Sequence, residues 1–212
     1  MATLIYIADP MCSWCYGFGP ELTTLLNGLP EVPLEIIVGG LRANNTNPMD
    51  EELKTVLRSH WSHVRDATGL PFSDQALSHP GFIYDTEPAC RAVVAARLLA
   101  PTATLQVFHA IQHAFYADAL NVTQGEVLAQ VASAALTNAG FPIDAETFGA
   151  KWAAAESVAA THDDFIQTQR WGVTGFPTLV LDRNGRLDLI TAGFVRTEAL
   201  VARMQAVIDE PV

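Results

Sequence analysis

Positive charge is scarce in this chain. Twelve Lys and Arg stand against 23 Asp and Glu, a net charge of −11 over 212 residues. A surface that tracks phosphates needs clustered basic side chains, so no nucleic-acid partner is expected. The acidity argues mainly for solubility. Long apolar runs are lacking too. Half the residues are hydrophobic, but no stretch reaches the roughly 20 apolar residues that cross a bilayer, so no membrane partner is expected. Cysteine is rare: only Cys12, Cys15 and Cys90 occur. An odd count with one close pair is no disulfide framework. In a reducing compartment such a pair points to redox or metal chemistry. The start, Met1 to Asp9, lacks a basic segment and a cleavage site, and the expected location is the cytoplasm.

What remains is an apolar, weakly charged composition of the folded, globular kind. Leu4-Ile5-Tyr6-Ile7-Ala8 reads as a buried strand, Cys12 to about Leu26 as a helix, and Pro33 to Val38 as a second strand ending at Gly39-Gly40. Strand, helix, strand over so short a stretch predicts a βαβ unit with parallel strands. From Arg42 to Gly172 the pattern is helical. Helices are predicted over Asp50–Ala67, Thr86–Leu99, Pro101–Ala117 and Thr123–Gly140, the last opened by a capping box at Thr123 and Glu126. A single long helical run is predicted from Asp144 to about Trp171. The chain then returns to strands: Thr178–Leu181, an Asn184-Gly185 hairpin turn, and Arg186–Ala192. A final amphipathic helix follows, capped by Thr197. The expected layout is one sheet-bearing unit from residues 1–41 and 173–212, with 42–172 as an all-helical insertion.

The chemistry centres on Cys12-Ser13-Trp14-Cys15. The pair follows a strand and opens a helix. Residues three apart share a helix face, so their sulfurs can reach bonding distance. The helix start offers unpaired N–H groups and positive potential, which stabilise a thiolate. Cys12 is therefore the expected nucleophile. Cys15, one turn further in, is the expected resolving thiol. The competing reading is half of a zinc site, which needs four ligands, and only Cys90 remains to help. Pro20 falls inside the helix. Leu22, Leu25 and Leu26 continue its apolar face, so a kinked helix is predicted rather than a stop. Taken alone, Pro177 at a strand start is unremarkable.

Together these features resemble the thioredoxin superfamily: the strand, the CxxC opening a proline-bearing helix, and Gly175-Phe176-Pro177-Thr178 before a hairpin. The order βαβ, helical insertion, ββα resembles its DsbA family. The string Asp9-Pro10-Met11-Cys12-Ser13-Trp14-Cys15-Tyr16-Gly17 is most similar to the cytoplasmic FrnE-like branch, as is Ala114-Phe115-Tyr116. The resemblance implies an α/β thioredoxin fold with a large helical insertion and a thiol–disulfide oxidoreductase. It makes Cys12 the nucleophile, Cys15 the resolving thiol, and Pro177 a cis-proline facing the dithiol. Ser13, Trp14, Phe176 and Thr178 become substrate-binding positions. The implied cofactor is none beyond the redox-active disulfide, with glutathione as a co-substrate. The implied partners are disulfide-bearing proteins or small thiols. The bacterial periplasmic oxidant has Pro-His between its cysteines, and thioredoxin has Gly-Pro. Ser-Trp argues for a reductase or protein-disulfide isomerase rather than a strong oxidant.

Two other functions stay open. Kappa-class glutathione transferases and hydroxychromene-carboxylate isomerases look similar in fold, with serine in place of Cys12 and no need of Cys15. A chaperone-like binding protein could use an apolar groove between the two units. Trp14 reads equally as an exposed substrate surface or as a ring folded onto the insertion. His109 and His113 lack the glutamate of a zinc-protease motif and read as helix-surface residues. His60 and His63 read the same way. Cys90, on an Ala-rich helix, reads as a buried inert thiol.

Overall fold

The computed structural model describes residues 2–210. Met1 and residues 211–212, the outer ends of the two expected sheet-forming segments, lie outside the described residues. Strand β1 (Ala2–Ala8) leads into α1 (Ser13–Asn27) and β2 (Leu34–Val38). β1 and β2 pair in parallel, with Leu4 opposite Leu34 and Ala8 opposite Val38. Five helices follow among the described residues: α2 (Glu51–Thr68), α3 (Glu87–Leu99), α4 (Thr104–Tyr116), α5 (Gly125–Asn138) and α6 (Ala145–Ala153). Then come α7 (Ala155–Arg170), β3 (Thr178–Arg183), β4 (Arg186–Ala192) and α8 (Thr197–Asp209). The sheet order is β2-β1-β3-β4, with β3 antiparallel to both of its neighbours. The Asn184-Gly185 turn has positive φ at both residues, as the tight hairpin requires. No described helix is long and apolar enough to cross a membrane.

Period-two alternation splits the sheet residues between two faces. Leu4, Tyr6, Ile36, Val38, Leu179 and Leu181 face the main core, shared with α1 and the helices of the middle segment. Ile5, Ile7 and Ile37 face a smaller cluster under Trp171, Val173 and Phe176. Side chains from the middle segment also cover the β2 edge. Asp164 of α7 accepts from the Val38 N–H at 3.0 Å, and Arg97 of α3 donates to the Ile36 carbonyl at 2.5 Å. Arg97 and Asp164 pair bidentately, both contacts at 2.9 Å. These groups satisfy an edge that would otherwise present unpaired backbone.

Three local expectations fail, each for a tertiary reason. The run from Asp144 to Trp171 is two helices, broken at Ala154 with φ −66° and ψ 143°. The Lys151 carbonyl there accepts from the Ala154 N–H at 3.1 Å and from the buried Ser157 hydroxyl at 2.7 Å. The break lets α6 lie on α5 while α7 turns along β2 and α3, overriding the helix preference of the alanines. Thr123 does not cap α5; its hydroxyl donates to Asn121 Oδ1 at 2.6 Å. The helix starts at Gly125, which the Trp152 ring covers so closely that a Cβ would lie 2.7 Å from it. Thr197 is likewise no N-cap. Its N–H donates to Glu21 of α1 at 2.7 Å, and its hydroxyl donates to the same carboxylate. Burial alone would raise the Glu21 carboxyl, but Thr197 and Arg196 hold it below the usual carboxylate range. A neighbouring helix thus supplies the cap of α8.

Candidate active site

The turn between β1 and α1 is built by Asp9. This carboxylate has no exposed surface. Its Oδ1 accepts from the Met11 N–H at 2.7 Å, and its Oδ2 accepts from the Leu41 N–H at 2.6 Å. The Asp9 carbonyl accepts from the Cys12 N–H at 3.0 Å. The Cys90 thiol lies 3.5 Å from Asp9 Oδ2. Burial pushes the Asp9 carboxyl up, while these donors and Thr86 pull it down. The chain thereby leaves the strand and enters the helix with Cys12 at the N-cap position.

Cys12 keeps 7% of its surface exposed and Cys15 keeps none. The two thiols are unbonded in this structure. Burial, and then Cys12 beside it, push the Cys15 thiol well up, against the opposing hydrogen bond of the Asp9 backbone. An inner thiol held in its neutral form beneath an outer one that keeps some surface suits sequential attack. Cys12 Sγ lies 3.6 Å from the Phe176 carbonyl oxygen. The Phe176–Pro177 peptide bond is cis, and Pro177 is buried. The loop is pinned from the far side, because the Gly193 N–H donates to the Pro177 carbonyl at 2.7 Å.

The remaining predicted site residues divide. Ser13 and Trp14 are partly exposed at the helix start. Trp14 is half-buried and packed against the main core. Its ring lies 5.3 Å from Phe194, in the loop after β4, and Arg196 covers the other ring at 5.5 Å. Thr178 is buried, its hydroxyl donating to the Gly175 carbonyl at 2.9 Å, so it closes the loop from within. The Phe176 carbonyl faces Cys12, while its ring sits on Gly39, where an added Cβ would fall 2.0 Å from Cζ. Cys90 is buried, and burial and Asp9 push its thiol well up.

One histidine departs from the surface reading. His109 lies over Gly19 of α1, and its Nε2 is buried without a hydrogen bond. Burial pushes its ring down to about 4. His113 is exposed beside Asp118 at 3.1 Å, and His60 and His63 are exposed on α2.

Sequence reasoning overlooked Gly39, Asp9 and two tyrosines. The hydroxyls of Tyr84 and Tyr116 both donate to the Met11 carbonyl, Tyr116 at 2.6 Å. An acid at the end of an apolar strand was a usable signal for Asp9. Nothing local to Tyr84 or Gly39 announces what they touch.

The geometry agrees with the comparisons. Residues 3–205 match the DSBA-like thioredoxin domain family. A solved structure of a proposed protein disulfide isomerase from Nitrosomonas europaea is 34% identical. It covers 98% of this chain and 97% of its own, with a TM-score of 0.88. The cytosolic disulfide reductase DsbM from Pseudomonas aeruginosa is 27% identical over 97% of this chain and 98% of its own, with a TM-score of 0.77. The same reductase with GSH aligns at 25% identity over 98% of this chain and all of its own, with a TM-score of 0.76. No curated protein matches. The chain belongs to the DSBA-like thioredoxin domain family of thiol–disulfide oxidoreductases.

Proposed function

We propose that this protein is a cytoplasmic disulfide reductase or isomerase acting through Cys12 and Cys15. The observation that carries the reading is the pairing of a nearly buried thiol at a helix start, which keeps a small exposed surface, with a fully buried partner one turn behind it. The Cys12 thiolate attacks one sulfur of a substrate disulfide. A Cys12–substrate disulfide forms, and the other substrate sulfur leaves as thiolate. Cys15 then loses its proton and attacks the Cys12 sulfur. The Cys12–Cys15 disulfide forms, and the second substrate thiolate departs, so two electrons pass to the substrate. Two molecules of an external thiol such as glutathione return the pair to the dithiol and leave as their own disulfide. The likeness to a reductase described with GSH supports that co-substrate.

In this reading residues 1–41 and 173–212 carry the dithiol and the proline loop, and residues 42–172 form the helical lobe behind them. Trp14 and Phe194 offer an aromatic surface to a disulfide-bearing protein or small thiol. The test is reduction of insulin and of glutathione disulfide by wild type, Cys12→Ala and Cys15→Ser. Loss of both activities in Cys12→Ala, with mixed disulfides trapped in Cys15→Ser, is expected. Equal rates in wild type and Cys12→Ala would sink the proposal. Undiminished turnover in Cys15→Ser would favour a glutathione-dependent isomerase instead.

A further inference from the structure

We infer that Tyr84 and Tyr116 are positioning residues for the nucleophile, holding the peptide that precedes Cys12 through its carbonyl oxygen. The inference rests on the reading of Cys12 as the attacking thiol. Tyr84 lies between α2 and α3, and Tyr116 ends α4, yet both hydroxyls converge on one acceptor, Met11 O. A carbonyl oxygen has two lone pairs, and here both are taken by buried donors. Tyr84 is 2% exposed and Tyr116 not at all.

The rings are held independently of their hydroxyls. Tyr116 stacks on Tyr16 at 5.0 Å and meets Trp61, Phe72 and Phe115 edge-on within 5.1 Å. Tyr84 packs against Phe82 and Phe115 at about 6 Å. Burial, above all, pushes both hydroxyls up, so both remain protonated donors.

The consequence for Cys12 follows from the geometry of one peptide. Its N–H is tied to the Asp9 carbonyl and its oxygen to the two tyrosines. The carbonyl therefore points into the helical segment while the thiol faces the Phe176 carbonyl. Two hydroxyl dipoles also place their positive ends on a negative oxygen next to the nucleophile. Without them that oxygen is free to turn, and its bare negative end opposes a thiolate nearby. The other titratable groups around the turn are Asp9, Cys15, Cys90, Tyr16 stacked on Tyr116, and Tyr6, whose hydroxyl donates to the Cys15 carbonyl at 3.5 Å, with Arg42 over the Tyr84 ring at 5.6 Å.

The test is the pH profile of Cys12 alkylation by iodoacetamide, read by peptide mass, in wild type, Tyr84→Phe, Tyr116→Phe and the double variant. Each substitution keeps the ring and removes one donor. The midpoint of the profile should move to higher pH in the double variant and by less in each single one. The rate at neutral pH should fall about fivefold in the double variant, the scale of one ordinary hydrogen bond. Circular dichroism and continued protection of Cys90 report the fold. An unchanged midpoint in a folded double variant overturns the inference. If the double variant does not fold, unchanged midpoints in both single variants overturn it. The assay needs no disulfide substrate, so a wild type that reduces none would refute the proposed function and leave this result standing.

Discussion

Gly39→Ala should uncouple the proline loop from the nucleophile. Gly39 does not have a positive φ, so alanine fits its backbone and the effect is steric. The new Cβ would lie 2.0 Å from Phe176 Cζ and 2.1 Å from Cε1. Ordinary carbon contacts need roughly 3.5 Å, so the ring must withdraw by roughly 1.5 Å. The ring is short and stiff, and the same residue places its carbonyl 3.6 Å from Cys12 Sγ. Overpacking of this kind costs about 1–3 kcal/mol in stability. A misplacement of about 1 Å at a reacting group costs on the order of 100-fold in rate. The variant should therefore melt lower and lose about 30- to 100-fold in kcat/KM for insulin reduction. Gly39→Ala combined with Phe176→Ala, which clears the space, should regain part of the stability lost by Gly39→Ala. Wild-type kcat/KM and stability in Gly39→Ala would refute the idea that the seated ring anchors the loop. Absence of any recovery in the double variant would locate the damage elsewhere.

Three further outcomes are expected. Arg97→Ala leaves Asp164 and the Ile36 carbonyl without their donor at the β2 edge, and should cost about 3 kcal/mol in urea unfolding at an unchanged m-value. His109 binds its proton only near pH 4 when folded, against an ordinary 6.5. The unfolded chain therefore holds more protons between those values, and stability is lost as pH falls from about 6.5 to about 4. His109→Leu should lose about 3 kcal/mol less than wild type over that interval in chemical denaturation, and parallel curves would show that the ring is solvated. Cys90→Ala should retain full disulfide reduction and lose about 1 kcal/mol by urea unfolding, whereas loss of activity with stability intact would make Cys90 part of the chemistry.

The elements legible in the sequence are those whose signals are local. Short apolar runs marked β1 and β2, Asn184-Gly185 marked the hairpin, and Asp50 with Glu51 and Glu52 marked the start of α2, where Asp50 accepts from the Leu53 N–H. The break at Ala154 and the true cap of α8 were not legible. They arise from Ser157 reaching back to Lys151 and from Glu21, far away in the chain, meeting Thr197. His109 was misjudged because helix spacing alone does not reveal that Gly19 makes room for its ring.

The sequence by itself placed the cysteine pair at a helix start and set the expectation of a redox dithiol. Spacing puts Cys12 and Cys15 on one helix turn, with the first of them at the helix start, whatever surrounds them. Only the tertiary structure decided what holds that pair in working position. Phe176 reaches Cys12 across 164 residues of chain because its ring finds the bare backbone of Gly39. Asp9 becomes the hub of the turn because α3 and the exit of β2 close over it. Tyr84 and Tyr116 share one carbonyl because α4 and the entry to α3 pack side by side. Such contacts join residues with no periodic relation. Their energies depend on burial and direction, and these exist only once the chain is folded.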